Sequence, residues 1–221
     1  LSPEEFRLVR LIEDEKGRKS YLRIFDDMNR FPSEQEISAA FKRLTTEPTR
    51  YKFVTGHGER NIFNIREEGY YMFAKQNGFR YSLINQGFDT DTLTLANADE
   101  NANGADVIVI AGMGGENIAS ILEAAPWTAD GVHTLLLAPH TKAEELRRYL
   151  MDHGYEILRE KLVYDRGTIF PIMEVTAGQM ELTVGQLWGG AKLRNDPLGN
   201  QYIIEKIIRL FGAVAGLNRS E

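Results

Sequence analysis

The 221-residue sequence contains no cysteine and only four histidines. The lack of cysteine excludes a disulfide framework, a cysteine-ligated zinc site, an iron–sulfur cluster and a thiol nucleophile. We expect no metal site built on histidine, because no two of the histidines stand four residues apart. The longest apolar run is far shorter than the ~20 residues that span a membrane, and the acidic N-terminus is unlike a signal peptide. These absences predict a soluble, cytosolic protein without a metal and without a membrane partner.

Acidic residues outnumber basic ones: the sequence has 32 aspartates and glutamates and 26 lysines and arginines, which gives a net charge of −6. This balance argues against wholesale coating of nucleic acid, because phosphate binding requires a basic field. A local basic patch is still compatible with it. The length fits one full domain with a small appendage.

Strand-like and helical segments alternate through the second half of the chain. Residues 105–111 form a β-branched run typical of a strand buried on both faces. The pattern then predicts a helix over 116–125 and a second strand over 134–138. Another helix, capped by Thr141, follows over 142–152, and a closing hairpin pairs 155–164 with 169–176. This order predicts an α/β fold with a mostly parallel sheet and an antiparallel edge. We expect one domain over 1–178 and a C-terminal helical segment over 179–221, with its last helix over 201–217.

The first half carries weaker signals. Apolar spacing predicts a helix over 3–16, and a strand-like stretch follows at 21–25. Ser33 and Glu36 form the pattern of a capping box and predict a helix that ends near residue 44. A strand over 51–55 and a helix over 67–78 complete the prediction.

A glycine-rich turn, residues 112–115, follows the best-defined strand and opens a helix. We call Gly112-Met113-Gly114-Gly115 the glycine turn. Ligands of open α/β sheets lie at the carboxyl ends of strands, and glycine lets backbone amides approach a ligand closely. The turn matches neither a P-loop nor a GxGxxG motif. An equally open alternative is a tight turn in which glycine only lets the helix pack on the sheet.

Three segments resemble the bacterial tRNA adenine-N1 methyltransferase family. The segment ADVIVIAGMGGENIASI (105–121) resembles its AGMGG region, and residues 135–175 are similar to its strand, proline turn, arginine-bearing helix and closing hairpin. The segment RNDPLGNQYIIEKI resembles the start of its C-terminal helical part. Over residues 96–217 the resemblance implies a Rossmann-like class I methyltransferase sheet with helices on both faces. It also implies S-adenosylmethionine as cofactor and tRNA as substrate, methylated at N1 of an adenine.

The resemblance implies two groups of cofactor-binding residues in the second half. One is the glycine turn with the residue before it: Ala111, Gly112, Met113 and Gly114. The other is the loop that would hold the cofactor's adenine: Asn97, Ala98 and Asp99.

The first cofactor loop of the family has two placements in this sequence. The preferred one uses residues 21–31, puts Asp27 at an acidic family position and brings Glu59 near the ribose-binding acid. The rival one uses Thr55-Gly56-His57-Gly58, which keeps a His-Gly pair but leaves few residues for the elements that should follow.

On the substrate side, Met113 and His140 are the candidate catalytic residues, and Lys142, Arg147 and Arg148 are candidate RNA contacts. The alternative for these cations is a solvated helix face paired with neighbouring glutamates. The apolar stripe of the last helix is interpreted as packing or as a partner-helix surface, which allows a homodimer through the C-terminal helix.

Two other functions compete with RNA methylation. One is a regulatory binding protein on a methyltransferase fold that has lost cofactor affinity, suggested by the missing N-terminal glycine motif and the net acidity. The other is a different nucleotide-binding α/β enzyme, against which the absence of a phosphate-binding loop counts.

Overall fold

The computed structural model describes residues 9–23, 25, 31–56, 58–66, 69–76, 78–94 and 104–217. The chain forms two compact units, Leu1–Val107 and Ile108–Glu221. Strands and helices alternate along both units, so the α/β class predicted from the sequence is confirmed.

The first unit begins with an antiparallel hairpin of β1 (Val9–Glu13) and β2 (Lys19–Arg23). In its turn, the Asp14 carboxylate accepts hydrogen bonds from the backbone N–H groups of Lys16 (3.0 Å) and Arg18 (2.9 Å). The helix expected over 3–16 is therefore wrong for residues 9–13. The segment is short, and pairing with β2 satisfies its backbone groups in place of helical hydrogen bonds.

The remaining elements of the first unit are two helices and two strands: α1 (Glu34–Thr45), β3 (Arg50–Thr55), α2 (Tyr71–Ala74) and β4 (Asp89–Thr94). The capping box at the start of α1 is confirmed, because Ser33 and Glu36 bond each other's backbone N–H groups. The helix expected over 67–78 is wrong in length, since among the described residues of that range only α2 is helical.

Strands β3 and β4 pair in parallel, from Arg50 opposite Asp89 to Thr55 opposite Thr94. The register keeps Phe53, Val54 and Leu93 buried. A parallel pair is how a Rossmann-like sheet is built, whereas β2 pairs antiparallel with β1 in a separate two-stranded sheet. The strand of the preferred placement, β2, is therefore not part of the parallel pair, whereas β3 is; the placement of the first cofactor loop itself stays a prediction.

Strand β5 (Val107–Gly114) starts at the end of the first unit and continues into the second. It is followed by α3 (Gly115–Ala124), β6 (Thr134–Thr141), α4 (Ala143–Asp152), β7 (Tyr155–Asp165) and β8 (Thr168–Ala177). The strand order is β5-β6-β8-β7. The β5–α3–β6 connection brings the ends of two neighbouring strands to one edge, where the glycine turn lies.

The predicted closing hairpin is confirmed: β8 lies between β6 and β7 and is antiparallel to both. Its two-residue turn places Arg166 at φ 46° and Gly167 at φ 84°. Two successive positive φ angles define the turn type whose twist suits a tight hairpin.

Two helices close the chain, α5 (Val184–Gly189) and α6 (Gly199–Leu217). Hydrogen bonds join α5 and the segment before α6 to other elements of the second unit. Arg147 Nη1 of α4 donates to the Leu187 carbonyl oxygen of α5 (2.7 Å), and the Leu162 N–H of β7 donates to Asp196 (3.0 Å). The domain boundary expected at residue 178 stays a prediction. Over the described ranges, no helix has both the length and the apolar character needed to cross a membrane.

Candidate functional site: the glycine turn and the end of β6

The glycines of the turn serve different purposes. Gly112 has φ 88°, in the region where other residues are strained. A Cβ at Gly115 would lie 2.2 Å from the Lys142 carbonyl oxygen, and one at Gly114 would lie 3.1 Å from Thr141 Oγ1. Gly115 therefore permits close packing of α3 on the start of α4, while Gly112 shapes the turn itself. Close packing thus explains Gly115, while a ligand contact at Gly112 stays a prediction.

The candidate cofactor residues of the turn expose mainly backbone. Ala111, Gly112 and Gly114 are half-buried, whereas the side chain of Met113 is buried. Glycine and alanine present little beyond their amide groups, so a ligand at this edge would meet N–H and C=O groups. As a thioether, Met113 has no acidic or basic group to offer catalysis.

The end of β6 lies beside the glycine turn, as the short distance between Gly114 and Thr141 requires. The half-buried His140 ring contacts the Phe170 ring at 4.9 Å between centroids. The cap of α4 differs from the expectation: Lys142, in the left-handed region at φ 53°, is the N-cap, and no side chain caps the helix. Thr141 instead belongs to β6.

Lys142 is exposed and forms an ion pair with Glu116 of α3. The hydrogen bond from its ammonium group to Glu116 raises the pKa of Lys142. The pair joins the first turns of α3 and α4. An RNA phosphate at Lys142 would therefore compete with a carboxylate already in place.

Arg147 has a different role from the one expected. Its side chain is fully buried, and its Nε donates to Glu160 Oε1 at 2.8 Å. Ala143, four residues before it on α4, and Leu150, three residues after it, are buried on the same face of the helix. The prediction of Arg147 as an RNA contact is therefore wrong, since the residue lies in the core. Arg148 is exposed on the same helix and stays a candidate RNA contact.

In the first unit, β3 ends in a loop that carries two glycines. Gly56 has φ 118° and Gly58 has φ 90°, and a Cβ at either would meet no atom of the described residues within 4 Å. Glu59 follows them and is half-buried. This is the rival placement of the first cofactor loop. Glu59 thus follows β3, the first strand of the parallel pair, and its expected place near the ribose-binding acid stays a prediction.

Some predicted site residues lie outside the described residues. They are Asp27, His57, Asn97, Ala98 and Asp99.

Comparisons with known proteins find similarity to methyltransferases over part of the chain. A family model described as a methyltransferase domain matches residues 74–173. The tRNA (adenine(22)-N(1))-methyltransferase of Bacillus subtilis (strain 168) is 35% identical over 77 residues, which are 35% of this chain and 32% of that protein. The matched region thus spans about a third of the curated relative's length.

Solved structures share the fold over most of the chain. Sp1610 of Streptococcus pneumoniae, a proposed tRNA (m1A22) methyltransferase, has a TM-score of 0.57 at 24% identity, covering 84% of this chain and 89% of Sp1610. Its complex with S-adenosyl-L-methionine has a TM-score of 0.54 at 24% identity, covering 83% and 91%. These structures confirm the Rossmann-like methyltransferase fold. The chain therefore has a Rossmann-like fold, matches a methyltransferase domain over residues 74–173 and is similar to the curated relative over 77 residues.

Proposed function

We propose that this protein is an S-adenosylmethionine-dependent methyltransferase that modifies N1 of an adenine in tRNA. The observation that carries the proposal is the glycine turn at the end of β5, which offers backbone groups and no carboxylate. The curated relative with 35% identity supports the substrate, since its name specifies adenine 22 of tRNA.

The chemistry of adenine N1 suits such a turn. S-adenosylmethionine, when bound, supplies the methyl group from its sulfonium. Adenine N1 carries its own lone pair, so no side chain of this protein has to remove a proton before attack. The protein has to position the adenine in line with the methyl group and exclude water, and the target base has to leave its stack to be reached. His140, at the neighbouring strand end, is our candidate for contacting the flipped base.

Two glycine-bearing loops support cofactor binding. Gly56 and Gly58 adopt positive φ angles, with open space among the described residues where side chains would stand, and Gly112 adopts a positive φ near the end of β5. Glycine at such positions lets a ligand approach the backbone. The regulatory alternative rested mainly on the lack of a glycine loop after the first strand. Because β3 carries such a loop, that alternative loses its main support.

Nucleoside analysis tests the activity. The protein is incubated with S-adenosylmethionine and an unmodified tRNA transcript that has adenine at position 22, and the digested RNA is examined by mass spectrometry. We expect N1-methyladenosine in this transcript and none in a matched transcript with guanine at position 22. Methylation at another base atom, or none at all, would refute the proposal.

A pair of glycine variants tests the role of the first loop. Gly58→Ala should weaken binding of S-adenosylhomocysteine at least about tenfold, or 1.4 kcal/mol, because the methyl group and the altered backbone would obstruct the loop. Gly154→Ala is the matched control, since Gly154 also has a positive φ (78°) and open space but follows α4. Equal affinity in the two variants would rule out a cofactor contact at Gly58.

The homodimer through the C-terminal helix stays part of this proposal. Ile204, Ile208 and Phe211 are 55%, 64% and 72% exposed on one face of α6. Light scattering of the purified protein, compared with an Ile208→Glu variant, measures whether that face joins two copies. A monomer in both cases would remove the dimer from the proposal. The cytosolic location expected from the sequence also stays a prediction.

A further inference from the structure

Three side chains form a row across neighbouring strands of the second unit, at the edge where the hairpin turn lies. The β7–β8 register sets Val163 opposite Phe170. The β6–β8 register, which sets Leu137 opposite Met173, leads to His140 opposite Phe170 when it is continued to the end of β6. The two rings are in contact, with their centroids 4.9 Å apart. We call His140, Phe170 and Val163 the edge row.

The edge row lies on the less buried face of these strands. Ile169 and Met173 are buried on one face of β8, whereas Phe170 belongs to the opposite face and is half-buried. Strand β6 alternates in the same way and leaves His140 half-buried. Val163 is 42% exposed. A ligand can therefore reach part of the aromatic surface of the row.

The edge row begins beside the glycine turn. Gly114 is close to Thr141, which directly follows His140. Phe170 is separated from β5 by β6 alone. Two strand spacings of ~4.8 Å amount to about 10 Å, a gap that one base with a contact on either side can bridge. Because Phe170 is paired on a regular ladder next to the hairpin turn, its ring stands at a fixed place.

A partly open aromatic ring at this place can hold a purine. Bases that have left a nucleic-acid stack are bound by stacking on aromatic side chains. Phe170 has no polar side-chain atom, so stacking is the contact that it offers, whereas the ring nitrogens of His140 can bond the edge of a base. The base would lie on the outside of the pair. A place between the two rings needs about 7 Å, which is two contact distances of ~3.5 Å, and the centroids are only 4.9 Å apart.

We propose that Phe170 is the surface on which the target adenine stacks once it has left the tRNA, with the His140 ring beside it. The inference rests on the proposed function and deepens it, because it adds a residue of β8 to the substrate site. Stacking is tolerant of base identity. Phe170 therefore holds the base, while the choice of adenine depends on groups that bond its edge.

A cycle of one change in the protein and one change in the RNA tests the proposal. Two unmodified tRNA transcripts are compared, one with adenine at position 22 and one with an abasic nucleotide there. Their binding is followed by fluorescence anisotropy with saturating S-adenosylhomocysteine. Phe170→Leu should raise the Kd of the adenine transcript about tenfold, since it removes one stacking contact. It should leave the Kd of the abasic transcript unchanged.

Two further variants separate stacking from packing. Phe170→Tyr keeps an aromatic ring and should restore the wild-type Kd. Ile172→Ala is the matched control, because Ile172 is half-buried on the same face of β8 but further from the hairpin turn. It should leave the Kd of both transcripts unchanged. Circular dichroism and thermal unfolding establish that each variant is folded.

Three results would overturn the proposal: equal effects of Phe170→Leu on the two transcripts, equal effects of Phe170→Leu and Ile172→Ala, or no tRNA binding by the wild-type protein. Failure of the proposed function is recognised separately. In that case the adenine transcript would bind with a contribution from base 22 that depends on Phe170. It would nevertheless carry no N1-methyladenosine after incubation with S-adenosylmethionine.

Discussion

Because Arg147 forms a buried ion pair with Glu160, we expect it to contribute far more to stability than its exposed neighbour Arg148. Arg147→Met removes the bond to Glu160 and the bond to the Leu187 carbonyl oxygen. Glu160 would keep only the Lys192 N–H, at 2.9 Å, as a partner. Both side chains of the pair are 0% exposed, so the remaining carboxylate would be a buried charge without a counter-ion.

Breaking such a pair from one side destabilises a protein by about 3–5 kcal/mol. For a chain of this size, each 1 kcal/mol shifts Tm by roughly 2–4 °C, so we expect Tm to fall by roughly 6–20 °C. The exposed neighbour Arg148 is the control: Arg148→Met should change stability by less than about 0.5 kcal/mol. Combining Arg147→Met with Glu160→Gln should recover part of the loss, since the neutral amide still accepts the bond from Lys192.

Urea unfolding followed by circular dichroism measures all four proteins. The reasoning is refuted if Arg147→Met unfolds at the same urea concentration as Arg148→Met. It is also refuted if Glu160→Gln makes the double variant less stable than Arg147→Met alone.

Two further predictions concern packing and pH. Gly115→Ala should lower the free energy of unfolding by roughly 1–3 kcal/mol, because the new methyl group would meet the Lys142 carbonyl oxygen at 2.2 Å. Urea unfolding measures this against the control Gly185→Ala, where the nearest atom to the new methyl group is 3.9 Å away. Equal stability of the two variants would contradict the prediction. Burial, followed by the nearby Tyr155 and Glu123, raises the pKa of Tyr149 to about 12. The contribution of Tyr149 to the free energy of unfolding is therefore fully present below the ordinary tyrosine pKa of about 10 and is lost as pH rises towards 12. Absorbance titration of the protein and of Tyr149→Phe measures it, and a difference between them centred near pH 10 would disprove the shift.

The elements that the sequence predicted well carry strong local signals. Each of these signals depends on only a few neighbouring residues: the β-branched run of β5, the capping box of α1 and the Arg166-Gly167 turn. Their structures depend little on the rest of the chain, so the pattern alone identifies them.

The elements that the sequence missed depend on distant partners. Residues 9–13 have helical apolar spacing, yet β2 pairs with them. Strand β4, with the sequence DTDTLT, has one large apolar residue and is defined by its parallel register with β3. In both cases the partner strand decides the structure, and nothing within the segment indicates it.

The candidate site shows the same contrast between features set by local sequence and features set by distant partners. The position of the glycine turn follows from local sequence, whereas the burial of Arg147 depends on Glu160 of the next strand. One local signal does identify Arg147 as a core residue, namely its helical spacing with Ala143 and Leu150. Likewise, Tyr202, Lys206 and Arg209 lie at helical spacing on α6 and line one cavity, but the sequence showed this helix only as an apolar stripe.

Calorimetric titration of S-adenosylhomocysteine into the purified protein tests the central claim most directly. The account predicts binding to one site per chain with micromolar affinity, which corresponds to about −8 kcal/mol. Absence of binding heat at millimolar ligand, for a protein with a native unfolding transition, would contradict cofactor-dependent methyl transfer by this chain.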